Sequence, residues 1–376
     1  MDCLYNQICG GCIHRNLTDE EYRKSKLLKL KQILQHFDCK NYQLCSPVFI
    51  PDGNRRRASF TFIYNKNSLR FGFNESSSHN IADIDKCLLL TSKINSIIPN
   101  LRNLIIALCS QTYQIKSGKK IVTQKLSQGD VLVCETDNGL DIVLEYNAPI
   151  DVNTRMIIAE FIQANDSVIR ISHRNKPDET AEVLVQKAIP CIKMGNYNVQ
   201  IPAGTFLQAT QEGEKVLAEL VLKYLKGIKG KIADLFCGVG TFSYYISSYL
   251  QDIDIFSVDS DTNLLSGFKD SLNANQISNI KIHRQNLFKY PLTAEEISAF
   301  DAIVFDPPRA GAKQQCRNIA LADKKPDVVI AVSCNPLTFV NDANTLTKGG
   351  YSLQEITLVD QFTYSNHSEL VALFTL

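Results

Sequence analysis

Two short apolar runs, Ala302–Phe305 and Val328–Val332, show no alternation of polar and apolar residues, so both faces of each are buried. Strands of that kind sit inside a parallel sheet covered by helices, which commits this part of the chain to an open α/β architecture. Each run stops abruptly in polar chemistry. Asp306-Pro307-Pro308-Arg309 follows the first, and Ser333-Cys334-Asn335-Pro336 follows the second. Ligands of such sheets bind beyond the carboxyl ends of the strands, where both tetrapeptides belong. The pairing predicts a carboxylate and an arginine beside a substrate, with a nucleophilic thiolate at Cys334. The plainer reading makes Cys334 a buried apolar residue and Arg309 an ion-pair partner of Asp306. Proline after Asn335 argues for the sharper one, because it restricts the turn and projects the side chain off the strand end.

Strand and helix signals alternate on either side of this stretch. Strands are predicted at Ile232–Phe236, Ile253–Val258, Lys281–Arg284, Ala302–Phe305, Val328–Val332, Leu353–Val359 and Leu370–Phe374. Seven strands with helices between the first ones match a Rossmann-like methyltransferase sheet. The last two leave no room for a crossover helix and should be antiparallel neighbours. Within Lys231–Ser247, Gly238 and Gly240 let the backbone approach a ligand, and the following helix offers its N–H groups. Asp259, nineteen residues after Gly240, ends the second strand and suits ribose hydroxyls. Gly-x-Gly alone fits NAD as well as S-adenosylmethionine; Thr241 where a dinucleotide fingerprint continues towards a third glycine favours adenosylmethionine. Asn286, after the third strand, is either an adenine contact or a surface loop residue.

The composition changes near Pro202, so the chain divides into residues 1–201 and 202–376, and two domains suit its 376 residues. The first part reads as an α+β module with several antiparallel pairs, entered by a helix over Asp19–Phe37 that Thr18 and Glu21 cap. Arg23, Lys24, Lys26, Lys29 and Lys31 on that helix form a solvated face or an RNA contact. Arg55, Arg56 and Arg57 cannot all face one side of a strand, so one or two, Arg56 foremost, are assigned to phosphate and the rest to solvent or ion pairs.

A net charge of +1 excludes a molecule that is basic throughout, so a nucleic-acid surface must be local. No apolar run approaches the roughly 18 residues of a membrane helix, and no secretory signal is visible, so a cytoplasmic location without membrane attachment is expected. Twelve cysteines in such a compartment point to metal ligation, catalysis and burial instead of disulfides. Cys3, Cys9 and Cys12 are spaced as a metal knuckle. Cys87 is the preferred fourth ligand, with Cys39 and Cys45 as competitors, and spacing does not separate zinc from an iron–sulfur cluster.

Together these pieces resemble the RNA uridine-5 methyltransferases, specifically their iron–sulfur branch. The matching motifs run in the family's order from residue 3 to residue 374: CLYNQICGGC, NRRR, KCLLL, GTFLQ, DLFCGVGTFS, DPPRAGA, VSCNP and HSELVALF. The resemblance implies that Cys3, Cys9, Cys12 and Cys87 hold a 4Fe–4S cluster. It implies that Gln208, Phe236, Asp259, Asn286 and Asp306 line the S-adenosylmethionine site, that Cys334 is the nucleophile and that Glu369 is the base, with His367 the other candidate. Three departures stand out. Asp259 replaces the family's common glutamate, Thr241 its common asparagine, and Ile13-His14-Arg15 the glutamine that often follows CGGC. Beginning at the cysteines, the chain is similar to the shorter members that modify 23S ribosomal RNA, so a monomer acting on that RNA is expected. Transfer to tRNA uridine or to cytosine carbon 5, and an RNA-binding iron–sulfur protein without activity, are the alternatives.

Overall fold

The computed structural model describes residues 3–38, 41–76, 78–117 and 120–376. Cys39, one competitor for the fourth ligand, lies outside them. The chain divides into two compact units whose segments interleave. The first comprises residues 1–16, 51–192 and 201–210, and the second residues 17–50, 193–200 and 211–376. The sequence suggests a single cut near residue 202; chain contacts instead give the Asp19–Leu34 helix to the second unit and the GTFLQ stretch to the first.

The first unit is built on a seven-stranded sheet in the order Glu182–Gln186, Val168–Arg174, Gly139–Glu145, Gln128–Thr136, Arg57–Asn65, Ser68–Asn74, Ile81–Asp83. Neighbours are antiparallel except Val168–Arg174 and Gly139–Glu145, whose parallel pairing is made possible by the intervening helix Val152–Ala164. That helix and Ser92–Cys109, capped by Asp151 and Thr91, bury a core with Phe60, Phe62, Phe71, Ile98 and Ile142.

The second unit holds a nine-stranded sheet. Its main path runs Gln43–Leu44, Ser352–Asp360, Glu369–Thr375, Val328–Ser333, Ala302–Phe305, Gly230–Leu235, Ile253–Asp259, Ile280–Arg284, and Val48–Phe49 pairs with Ser352–Asp360 off that path. All seven strand positions read from the sequence lie in it, and the expected count rises by the two short edge strands. Glu369–Thr375 is antiparallel to both neighbours. The order reverses between Gly230–Leu235 and Ala302–Phe305, the switch point at which open sheets bind ligands.

The helix Asp19–Leu34 shows the expected capping box, with Thr18 and Glu21 bonded reciprocally. Its buried row is Tyr22, Lys26, Leu30 and Leu34, one residue per turn. Lys26 therefore leaves the predicted basic face: its ammonium lies 3.0 Å from Asp360 Oδ1, with both side chains almost wholly buried. Tyr22 donates its hydroxyl proton to the same carboxylate, and Lys26 also donates to the carbonyl of His367. Among the described residues, no helix is long and apolar enough to cross a membrane.

Candidate active site

Leu235 and Phe305 pair in register at the switch point, so Phe236 and Asp306 leave the sheet side by side, and the Asp306 amide donates to Leu235 O at 3.2 Å. Next in the sheet, Ser333 pairs with Leu370. One further step along that antiparallel ladder sets Cys334 opposite Glu369. Asp306, Cys334 and Glu369 therefore meet at one end of the sheet, although 63 residues separate the first from the last in the chain.

Local chemistry holds this arrangement. Asn335 caps the helix Pro336–Lys348 by accepting from the Leu337 amide, and Pro336 occupies the first turn, where its missing N–H costs nothing. The Asn335 amide and the Thr338 hydroxyl both donate to the carbonyl of Arg309, at 3.0 and 3.2 Å, and so lock the two tetrapeptides together. The Arg309 guanidinium donates to the ring of His367, 3.0 Å from Nε2.

The electrostatics follow from burial. Glu369 is 2% exposed, and burial first, then the neighbouring Asp306, raise its proton affinity well above that of an ordinary glutamate. The Gln361 amide opposes this by donating to Glu369 Oε2 at 3.2 Å. Cys334 is pushed up to about 11 by burial and by Glu369 and Asp306, with Arg309 pulling the other way. Its resting form at neutral pH is the thiol, so any use of the sulfur as a nucleophile requires that proton to leave.

The glycine turn forms a second site beside the first. Phe236 and Gly238 adopt positive φ, 62° and 56°, and the space where a Cβ of Gly238 would point is open to 4 Å. Gly240 is fixed for a steric reason, since a Cβ there would come within 2.2 Å of the Phe268 ring. It starts the helix Thr241–Tyr249 without a side-chain cap of its own, and Asp234 takes the Ser243 amide of the first turn. Asp259 accepts from the amides of Gly238, Ser260 and Asp261, at 2.9, 2.7 and 3.0 Å. A carboxylate has about four acceptor positions, so one remains for a ribose hydroxyl. Asn286 uses its side-chain carbonyl to cap its own turn, and Phe288 from that turn packs against Phe236 with ring centroids 5.3 Å apart.

Asp234 is a residue that sequence reasoning passed over. It is fully buried, accepts from the amide and hydroxyl of Ser243, and has one oxygen, Oδ1, with no hydrogen-bond partner. Burial pushes its carboxyl up to about 7. An acid inside the apolar run Ile232–Leu235 was the available signal. Gln361 and Lys26 were missed for a different reason, because their partners are visible only in the fold.

Gln208, the arginine run and the four cysteines belong to the first unit. Gln208 accepts on its backbone carbonyl from Arg56 Nε at 3.1 Å. Arg56 is 4% exposed, and this internal bond holds the GTFLQ stretch. Arg57, stacked 4.0 Å over the exposed Phe206 ring, is the more accessible neighbour. Cys3, Cys9, Cys12 and Cys87 feel one another electrostatically, and the Cys12 thiol is pushed up to about 12 by burial and by Cys87, against Arg15. Among the described residues, no three histidine, cysteine, aspartate or glutamate side chains are grouped closely enough to hold a metal ion.

Comparison with known proteins converges on one family. The family model described as tRNA (Uracil-5-)-methyltransferase matches residues 18–375. An uncharacterized RNA methyltransferase of Agrobacterium fabrum is 32% identical over 374 residues, covering 98% of this chain and 82% of its own. The 23S rRNA (uracil(1939)-C(5))-methyltransferase RlmD of Vibrio campbellii is 26% identical, covering 99% and 81%. In fold, the chain is similar to the Pyrococcus abyssi tRNA (uracil-54, C5)-methyltransferase solved with S-adenosyl-L-homocysteine, at 21% identity and a TM-score of 0.73 over 98% of this chain and 86% of that one.

Proposed function

We propose that this chain, which belongs to the tRNA (uracil-5-)-methyltransferase family, methylates a uridine of 23S ribosomal RNA through a covalent bond to Cys334, with Glu369 as the base. It is an S-adenosylmethionine-dependent RNA (uracil-C5) methyltransferase, as the family and its named relatives indicate. The observation that supports the mechanism is the ladder register that puts Cys334 opposite Glu369, with Asp306 beside them. Addition of the Cys334 sulfur to carbon 6, its thiol proton passing to solvent, makes carbon 5 a nucleophile, and S-adenosylmethionine supplies the methyl group it takes. Glu369 then removes the carbon 5 proton, and the sulfur is expelled. Phe236, Gly238, Gly240, Thr241, Asp259 and Asn286 are assigned to the cofactor, and the open space at Gly238 supports this. Gln208 and Asp306 join them by resemblance, and Arg309 is assigned to the substrate.

The choice of 23S RNA rests on the Vibrio relative and is tested by incubating the protein with labelled S-adenosylmethionine and either 23S ribosomal RNA or tRNA. 5-Methyluridine in the ribosomal RNA is expected. Label confined to tRNA would move the assignment there, and methylated cytosine would overturn the reaction.

We propose further that Cys3, Cys9, Cys12 and Cys87 hold a 4Fe–4S cluster with a structural role. The resemblance carries this reading, through CLYNQICGGC and KCLLL; among the described residues the four thiols are not grouped closely enough to hold a metal ion as they stand. Anaerobic purification should yield iron and acid-labile sulfide in equal amounts. A colourless protein carrying zinc would replace the cluster by a zinc site.

A further inference from the structure

Gln361 stands directly after the strand Ser352–Asp360 and is 2% exposed. Val359 pairs with Glu369 across the ladder. Residues two apart on a strand share a face, so the Gln361 side chain returns over Glu369. There its Nε2 donates to Glu369 Oε2 at 3.2 Å. The residue before it is fixed independently. Asp360 O accepts from the Ile50 amide at 3.1 Å, and the Asp360 side chain is bound by Lys26 and Tyr22.

We infer that Gln361 is a positioning residue for proton abstraction, fastening one oxygen of Glu369 and leaving Oε1 as the oxygen that meets carbon 5. The inference rests on the reading of Glu369 as the base. In the step concerned, Oε1 takes the proton from carbon 5. The freed electron pair forms the carbon 5–carbon 6 double bond, and the carbon 6–sulfur bond breaks with its electrons returning to Cys334. Atoms and charge balance without a further reactant.

The hydrogen bond also has a direction in pH. Asp306 and Arg309 face the site from the loop after Ala302–Phe305 and Cys334 from the end of Val328–Ser333, while Asp360, on the opposite face of its strand from Gln361, is bound by Lys26 and Tyr22. His367 precedes Glu369 on its segment and accepts from Arg309. Burial and Asp306 favour the protonated carboxyl, and the Gln361 N–H favours the ionised one. Glu369 serves as a base only when ionised, so adduct resolution rises with pH through its titration. Removing the donor moves that rise to higher pH.

Gln361→Met keeps the side-chain length and removes the donor. In single-turnover reactions on target RNA across a pH series, its midpoint for adduct resolution should lie about one pH unit above the unaltered protein's. Resolution at neutral pH should be about tenfold slower. Gln361→Leu should behave alike, and binding of S-adenosylhomocysteine verifies that each variant is folded. A uniform slowing with an unmoved midpoint would mean a merely structural role and overturn the inference. Glu369→Gln in the same series separates the two claims. If it resolves its adduct at the normal rate, the base assignment fails and this inference with it. If it is blocked while the Gln361→Met midpoint stays put, this inference alone fails.

Discussion

Cys334→Ala is expected to abolish methyl transfer, by about four orders of magnitude or more, while S-adenosylmethionine binds as before. The separation follows from the fold. Cys334 lies past the end of Val328–Ser333, two strands from the Gly230–Leu235 turn that carries Gly238 and Gly240. Alanine removes a sulfur without disturbing the elements around it, because the turn is held by Asn335, Thr338 and the carbonyl of Arg309, none of which uses the thiol. Serine should be no better, since its hydroxyl is a far poorer nucleophile and shares the same acidic surroundings. The measurement pairs a labelled-methyl transfer assay with equilibrium binding of the cofactor. Turnover retained in Cys334→Ala would remove the covalent mechanism altogether.

Much of the methyltransferase half was legible because continuous apolar runs have few alternatives to a buried parallel strand. Asp306 and Cys334 were legible for a related reason, since polar residues placed right after such a run fall at its carboxyl end. The edge strands Gln43–Leu44 and Val48–Phe49 were not. Two residues have no period, and these become strands only through their pairing with Ser352–Asp360. Lys26 looked like one more surface lysine because Asp360, 334 positions away, supplies the charge that makes its burial tolerable. The internal bond of Arg56 was hidden in the same way, since its acceptor is a backbone carbonyl 152 residues on. The interleaving of the two units is likewise a matter of long-range packing and leaves no mark in local composition. The contact of Gln361 with Glu369 depends on antiparallel register, which a sequence without a tight hairpin turn does not specify.

Glu369→Gln is expected to trap the protein on its RNA as a covalent species that survives denaturation, with resolution slowed by about 10²–10⁴-fold. Glutamine matches the protonated carboxyl in size and charge, and protonated is the form that burial and Asp306 already favour at this position. Attack by Cys334 should therefore proceed: an uncharged neighbour removes one of the influences that raise its thiol. Methyl transfer should also proceed, because it draws on carbon 5 and the cofactor and not on Glu369. What fails is removal of the carbon 5 proton, and without it the carbon–sulfur bond has no electron pair to expel it. The product at that stage is a methylated uracil attached to Cys334, which mass spectrometry of the digested adduct identifies by the modified peptide. Turnover with no accumulated adduct would transfer the role elsewhere. His367, two residues earlier and held by Arg309 at the same end of the sheet, is then the group to replace next, and its loss should produce the adduct that Glu369→Gln did not.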